Sequence, residues 1–497
     1  MLKSNRSITI FLCIVYFIAL FIRVGIIYYT RNSPEIGLTY QIGEAARNLS
    51  AGRGYVVDDE YLATIIDRMY KTNRLVEMED VPPPDKENFT PYYGLPPGTS
   101  SLVALTFSLS GEYRYIYTRI LQAILDSFGC LIIFLLCRQL FSKRVGLIAS
   151  FTYAVFLPIA TLSTFVIHDA LMPFFILVSL YFFIKGVLHD KLVFYLLSSL
   201  FIGVSCYFQP TALFLPCLYG LALLIYKLRK REIGHQLANT IKITAAMMLV
   251  VMVMTVPWIV RNYYVTGVLS PNMRVGTWAG IWVGFGEFQD NPAGAIFNEA
   301  YAWELAKKEL GYDVKFGTPE YDLVFKDKVI TTITEHPLWW LKALLLRLPR
   351  TLFYYNGLGI QPLCPDYQNW YECEGRQVTW ANFLSAWGNG TFLQTVISYP
   401  YQAFYWSLAA VFVVFPVLFS VGGIWVLRKD WRKVVLIITP VVYLSAVHIV
   451  CFVSGVGKSL LPGSLAYIIL SAVFIDHLFN RGKPVDNDKP AALANLQ

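Results

Sequence analysis

Apolar residues run along this chain in blocks of about 20, the length a helix needs to cross a bilayer. The blocks fall at 8–29, 115–137, 145–165, 170–187, 192–208, 211–227, 241–261, 401–426, 434–454 and 459–478. About ten transmembrane helices are therefore predicted, in an all-α polytopic membrane protein. Segment 8–29 is too long for a signal peptide and lacks a small-residue cleavage site, so it reads as a retained anchor. The connections alternate in charge. Lys3 and Arg6 precede the first block, and Arg138, Lys143 and Arg144 follow the second. Lys185 and Lys191, then Lys227, Arg229, Lys230 and Arg231, then Arg428, Lys429, Arg432 and Lys433, and finally Arg481 and Lys483 continue the series. Every second loop is basic, which puts both termini on the cytoplasmic side.

Three features then share the opposite, extracytoplasmic side: the first loop at 30–114, a very short connection around His168 and Asp169, and a long stretch at 262–400. The organisation expected is an N-terminal transmembrane module over 1–261, an outer loop region over 262–400 and C-terminal transmembrane helices over 401–480. A cytoplasmic tail, 481–497, has a disordered composition. Within the outer stretch, residues 337–355 are apolar but interrupted by Lys342, Arg347 and Arg350 at helical spacing. Three cations at mid-bilayer would be costly, so an amphipathic helix in the membrane interface is expected there.

The first loop opens with RNSPEIGLTYQIGEAARNLSAGRGY, from Arg31 to Tyr55. Ile42, Ala45, Ala46 and Leu49 recur on one helical face, and Gln41, Glu44 and Asn48 on the other. Gly52 and Gly54 are placed to stop the helix in the left-handed conformation. A short surface helix holding Glu44 towards water, with Glu35 one loop earlier, is expected.

Composition agrees with the membrane reading. Of 497 residues, 56% are hydrophobic and only 15% charged, where soluble domains carry about a quarter charged residues. Mean hydropathy is +0.50. The net charge of +8 lies mostly in the topology-setting loops and calls for no nucleic-acid partner. Aromatics at 16% suit interfacial belts and sugar-contacting surfaces alike. Of the eight cysteines, only Cys364 and Cys373 share a polar loop, and a disulfide between them is expected in an oxidising compartment.

Several polar residues carry candidate chemistry. In VPWIVRNYYVTGVLSP (256–271), Arg261 supplies a planar five-donor cation suited to a phosphate, with Asn262 beside it; an interfacial anchor is the other reading. Lys458 lies in GVGKSLLPG between the last two spans, but Phe452 stands at the first glycine position of a P-loop and no strand precedes it, so no nucleotide site is implied. Asp169 must sit at or inside the interface, either partnered by a cation, a metal or a helix N-terminus, or as an N-cap. His168 could share a divalent metal with it. Asp126 is an intramembrane carboxylate, either functional or paired to a neighbouring helix. The other histidines are scattered. Sequons occur at Asn88 and Asn389, and no GxSxG, HExxH, dinucleotide or zinc-type pattern is present.

Taken in order, IGEAARNLSAGRGY, LPPGTSSLVALTFSLSGEYRYIYTRILQAILD, HDALMPFFILVSLYFF, PWIVRNYYVTGVLSP, GIWVGFGEFQDNP, YDLVFKDKVITTITEHPLWWLKALLLRLPR and GKSLLPGSLAYIIL resemble a family. It is the GT-C glycosyltransferases of the dolichyl-phosphate-mannose–protein mannosyltransferase type, which includes aminoarabinose transferases of bacteria. The resemblance implies transfer of a sugar from a polyprenyl-phosphate donor to a lipid, glycan or protein acceptor at the outer membrane face. Glu44 or Glu35 would serve as base, with Asp169 supporting. Arg261, Lys458 and Arg347 would hold the donor phosphate, and Gln41, His168, Asn262 and Glu287 would contact substrate. A divalent metal is a candidate cofactor. The family's usual first-loop Asp aligns with Leu38, and one branch carries Glu where Gln41 stands. A bacterial inner membrane is favoured. A transporter or flippase, or a polysaccharide polymerase or ligase, is the rival reading.

Overall fold

The computed structural model describes residues 5–32, 37–72, 74–82, 88–227, 233–269, 277–315, 318–353, 394, 410–451 and 462–480. Glu35, Lys458, Cys364, Cys373 and the Asn389 sequon lie outside them. The chain begins with α1 (Asn5–Tyr29), whose Ile10, Ile14, Phe17, Phe21, Val24 and Tyr28 form an exposed stripe at three- and four-residue spacing. In a bilayer that stripe faces lipid. The first outer loop follows as α2 (Gly37–Ser50), β1 (Val56–Asp58), α3 (Asp59–Thr72), β2 (Phe89–Pro91) and α4 (Gly98–Ser110). The two strands pair antiparallel, Val57 opposite Thr90. Three-residue strands are too short to show an alternating pattern, so no periodicity along the chain announces this hairpin.

The bundle continues with α5 (Tyr115–Ser127), α6 (Gly129–Leu140), α7 (Lys143–Val155), α8 (Leu157–Leu162), α9 (Met172–His189), α10 (Leu192–Phe208), α11 (Leu215–Lys227) and α12 (Ile233–Thr266). Among the described residues, six helical segments are long and apolar enough to span a membrane: Arg6–Tyr29, Tyr115–Leu140, Met172–His189, Pro210–Lys227, Gly234–Thr266 and Arg428–Val450. Leu192–Phe208, Phe415–Val426 and Ser464–Phe479 are shorter apolar helices. The expected span at 145–165 is broken. Phe156 leaves the helical region and Pro158 opens α8, because proline lacks the N–H that would continue the ladder from α7.

Beyond α12 come α13 (Thr277–Phe285), α14 (Glu299–Leu310), α15 (Pro319–Glu335) and α16 (Pro337–Phe353), then α17 (Phe415–Val426), α18 (Trp431–Cys451) and α19 (Ser464–Phe479). The stretch expected to be amphipathic, 337–355, is α16, which a break at His336 before Pro337 separates from α15. On α16, Leu338, Leu341, Leu345 and Leu348 are exposed along one side, while Ala343, Arg347 and Thr351 are buried on the other. This matches the interface helix expected there.

Three apolar cores result. The largest joins α1 and α6–α12 with α17–α19. A second lies within the first loop, and a third within α13–α15. Inside the bundle, Arg23 of α1 meets Asp126 of α5, Nε to Oδ2 at 2.7 Å and Nη2 to Oδ2 at 2.5 Å, both side chains fully buried. Tyr153 donates to the other carboxylate oxygen at 2.7 Å, and Arg23 Nη1 donates to the Ala19 and Ala154 carbonyls. Asp126 is thus explained by helix pairing. Removing one partner of such a pair leaves an uncompensated charge and costs about 3–5 kcal/mol, whereas removing both is far milder. Asp126→Leu is expected to lower the thermal midpoint sharply and Arg23→Leu/Asp126→Leu to restore most of it, measured on detergent-purified protein. A double variant as unstable as the single one would contradict the pairing.

Candidate functional site

The helix α2 carries Gln41 and Glu44, and its surroundings differ from the surface setting expected. Residues 39–48 are buried apart from Gln41, which is half-buried, since α3, β1 and α4 cover the helix. Its approach to α5 is close. A Cβ on Gly43 would lie 1.9 Å from the Tyr115 hydroxyl oxygen, so only glycine fits at that turn. Gly52 takes a left-handed φ of 75° just after the helix, as its position suggested.

Glu44 therefore does not face water. Its side chain is fully buried, with Oε1 accepting from Asn48 Nδ2 at 2.9 Å and Oε2 3.4 Å from Arg47 Nε. Arg47 in turn stacks over the Tyr61 ring. The amphipathic pattern was correct about one apolar face; the polar face is covered as well, by Arg47 and the tyrosine-rich loop core. Loss of water raises the Glu44 carboxyl above the ordinary carboxylate range, with Asp58 adding and Arg47, Asn48 and Arg53 opposing. The Tyr61 phenol is pushed up to about 12, also by burial.

The bridge from this loop to the bundle is made of backbone and hydroxyl contacts. Thr39 Oγ1 donates to the Val166 carbonyl at 3.1 Å, which seats α2 on the 163–171 connection. That connection carries His168 and Asp169. Asp169 is fully buried, and Gln209 at the end of α10 donates to its Oδ1 at 3.0 Å. His168 Nε2 lies 3.2 Å from Oδ2. The N-cap reading of Asp169 fails, because α9 begins at Met172 behind Leu171, which makes no side-chain cap. On the facing side, His448 of α18 is buried within electrostatic reach of Asp169. Among the described residues no three metal-ligating side chains converge. His168 and Asp169 remain a two-residue pair, short of the three protein ligands that a catalytic metal usually takes, so the residues described do not fit a metal centre.

Two of the three expected cations, Arg261 and Arg347, are described, and both are engaged. Arg261, near the C-terminal end of α12, donates to the Tyr92 carbonyl at 2.6 Å, the Tyr55 carbonyl at 3.1 Å and Asn262 Oδ1 at 2.9 Å, with its guanidinium against the Trp258 ring. Tyr92 donates its hydroxyl to Gln41 at 2.8 Å, so Gln41 and Arg261 are linked through one tyrosine. Arg347, also buried, pairs with Glu287 at 3.0 Å. The structure thus brings together His168 with Asp169, Arg261 with Asn262 and Gln41, and Arg347 with Glu287. Glu44 stands apart in the loop core. Gln209 was missed, because it falls between two apolar blocks, where a polar residue is the ordinary expectation.

Residues 95–261, from the end of the first loop to Arg261, match the family model of dolichyl-phosphate-mannose-protein mannosyltransferases. No curated protein matches the chain. Among solved structures, the apo oligosaccharyltransferase of Archaeoglobus fulgidus matches with a TM-score of 0.51 and 11% identity over 97% of this chain and 51% of that one. The same enzyme with Zn and sulfate gives 0.48 and 13%, over 94% and 49%. Its complex with an inhibitory peptide and a dolichol-phosphate gives 0.46 and 13%, over 95% and 51%. The chain spans about half the length of that enzyme. At this identity the apo structure speaks to the fold, which is that of the GT-C glycosyltransferases.

The raised Glu44 carboxyl gives a signed expectation. The folded state holds its proton more tightly than the unfolded chain does, so ionising Glu44 destabilises the fold. Stability is lost as pH climbs from the ordinary carboxylate value of about 4.3 through the raised one. Glu44→Gln removes that slope, so its thermal midpoint relative to wild type is expected to rise across this window. Parallel curves for the two proteins would show that the Glu44 carboxyl is not raised.

Proposed function

We propose that this chain, a GT-C protein by fold, is a membrane glycosyltransferase. It moves a sugar from a polyprenyl-phosphate-linked donor to an acceptor hydroxyl on the extracytoplasmic face. The observation that carries the reading is where the mannosyltransferase match falls. Segment 95–261 contains Asp169, a buried carboxylate met by Gln209 at 3.0 Å and by His168 at 3.2 Å. Convergent polar groups in an otherwise apolar interior are the usual sign of a site.

The chemistry follows from the donor. The acceptor oxygen attacks the anomeric carbon, the bond from that carbon to the phosphate oxygen breaks, and the electron pair leaves with the phosphate. The hydroxyl proton goes to a carboxylate as the new bond forms. Asp169 is the carboxylate we assign to that step. Gln209 and His168 orient it. Glu35 is the first-loop alternative, and Glu44, enclosed with Arg47 and Asn48, supports the loop that covers the site. The departing phosphate needs cations. Lys458 is assigned there, with Arg261 shaping the adjacent rim through its hold on Tyr55 and Tyr92. No step is routed through a metal. The alternating basic loops support an outward-facing site in a multi-pass membrane protein, with a bacterial inner membrane as the proposed location. A lipid, glycan or protein hydroxyl is the proposed acceptor.

The test is sugar transfer by the purified full chain, given a labelled polyprenyl-phosphate sugar and each acceptor class in turn. Asp169→Asn is expected to lower the rate by about 10²–10⁴-fold, the range for a lost general base, at an unchanged thermal midpoint. Full transfer by Asp169→Asn, Glu35→Gln and Glu44→Gln alike would sink the site assignment. A wild-type chain that binds no such donor would favour a transporter.

A further inference from the structure

The first loop touches the bundle beside both partners of the Gln209–Asp169 hydrogen bond. On the acid's side, Thr39 Oγ1 of α2 donates to the Val166 carbonyl at 3.1 Å, just before His168 and Asp169 in the chain. On the amide's side, the first residue of α4 meets the last turn of α10. A Cβ built on Gly98 would lie 2.5 Å from the Tyr207 carbonyl oxygen, 2.7 Å from its carbon and 3.1 Å from the Phe208 ring. Only glycine allows so close an approach. Backbone does not swing aside as a flexible side chain does, so a methyl at 98 must displace the end of α10 or the start of α4. Tyr207 and Phe208 immediately precede Gln209.

The groups around that contact are held in turn. Pro210 follows Gln209 and forces extended backbone on it, with φ −142° and ψ 115°, so the side chain leaves α10 in a set direction. The Gln209 amide N–H donates to the Ser205 carbonyl at 2.7 Å. Tyr207 donates its hydroxyl to the Met254 carbonyl of α12 at 2.5 Å, and the Phe208 ring packs against Phe175 of α9. On the loop side, the Tyr55 hydroxyl is shared between the Leu95 carbonyl at 3.1 Å and the Pro96 carbonyl at 3.3 Å, which fixes the run leading into Gly98. Arg261 holds the Tyr55 carbonyl. A continuous series of contacts therefore runs from Arg261 through Tyr55, the 95–98 run and the end of α10 to Gln209, whose side-chain amide meets Asp169 at 3.0 Å.

We propose that Gly98 and Thr39 are positioning residues of the transfer site, through which α2 and α4 brace the Gln209–Asp169 hydrogen bond from both sides. Gly98 lets α4 close on the end of α10 with no side chain between them, and Thr39 seats the connection that carries the acid. The proposal rests on the glycosyltransferase reading and deepens it. The amide donor favours the ionised carboxylate, the form that can take a proton from an acceptor hydroxyl. The first loop then does more than cover the acid, because it sets the aim and the protonation of the group beneath it.

The experiment measures kcat, donor KM and the pH dependence of kcat for a labelled polyprenyl-phosphate sugar, using the purified full chain and its variants. Gln209→Met keeps the length of the side chain and removes the amide donor. It is expected to lower kcat by about 10-fold or more, with donor KM within about 3-fold of wild type, as for a misaligned catalytic group. The acidic limb of its pH profile moves to higher pH, because the ionised acid has lost a donor. Gly98→Ala is expected to reproduce both changes. Thr39→Val, which keeps the shape and deletes the hydroxyl, reproduces them in smaller measure. The pH shift distinguishes positioning from a plain loss of folded protein, which lowers kcat equally at every pH. Adding Gly98→Ala to Gln209→Met changes little beyond Gln209→Met alone, because both act through one hydrogen bond. Gly25→Ala, at a helical glycine with open space around it, is expected to behave as wild type. A wild-type kcat in Gly98→Ala, a lower kcat without the pH shift, or a raised donor KM at unchanged kcat would overturn the brace. So would a loss that multiplies in full with that of Gln209→Met. Should Gly98→Ala not fold, Thr39→Val carries the same test with the same outcomes. All of these leave the glycosyltransferase reading standing, whereas a wild-type chain that transfers no sugar removes both.

Discussion

The first loop is held to the helix bundle by the guanidinium of Arg261. A strand pair of three residues each has too few hydrogen bonds to stand alone. Arg261 donates to the carbonyls just before β1 and just after β2, which lie side by side, so both strands are tied at that one end to the last turns of α12. The Tyr55 carbonyl takes the Tyr92 amide as well, and the Tyr55 ring lies edge-on to Trp258. With the hairpin fixed, Tyr92 can hold Gln41, and α2 settles between the hairpin and α4. From there Thr39 reaches the connection that carries Asp169. One cation at a helix end therefore organises the covering of a buried acid some 90 residues earlier in the chain.

Buried charge is handled in two ways in this fold. Arg23 and Asp126 neutralise one another within the bundle, with Tyr153 and two carbonyls completing the shell, and they join α1, α5 and α7. Arg347 and Glu287 do the same at the edge of the outer unit. Asp169 sits in a different setting, against a glutamine and a histidine, and the hydrogen-bonding role of an imidazole changes with the proton it carries. The first two pairs are suited to rigidity. The third is suited to chemistry.

Much of this was legible in the chain. Segments of about 20 apolar residues pointed to a helical membrane protein, and six helices among the described residues are long and apolar enough to span, because a bilayer imposes length directly on sequence. What escaped depended on contacts distant in sequence. Pro158 divides an apolar run that by hydropathy alone looks continuous. Glu44 lies on the polar face of an amphipathic pattern, yet Arg47 and residues from the hairpin close over it. Arg347 reads as one cation among three on α16, and only the fold reveals Glu287 and Ile449 around it.

The length of α12 has a consequence for the membrane around it. At 34 residues and about 1.5 Å per residue the helix runs some 50 Å, well beyond a hydrocarbon layer of about 30 Å. Its surplus is at the start, where His235, Gln236, Asn239, Thr240 and Lys242 precede the unbroken apolar run. The other end is held in place by Arg261. A thicker or thinner bilayer is therefore matched by moving the lipid boundary along the polar first turns, at a small cost per ångström. Hydrophobic mismatch is absorbed far from Asp169, so the acid keeps its place as lipid composition varies.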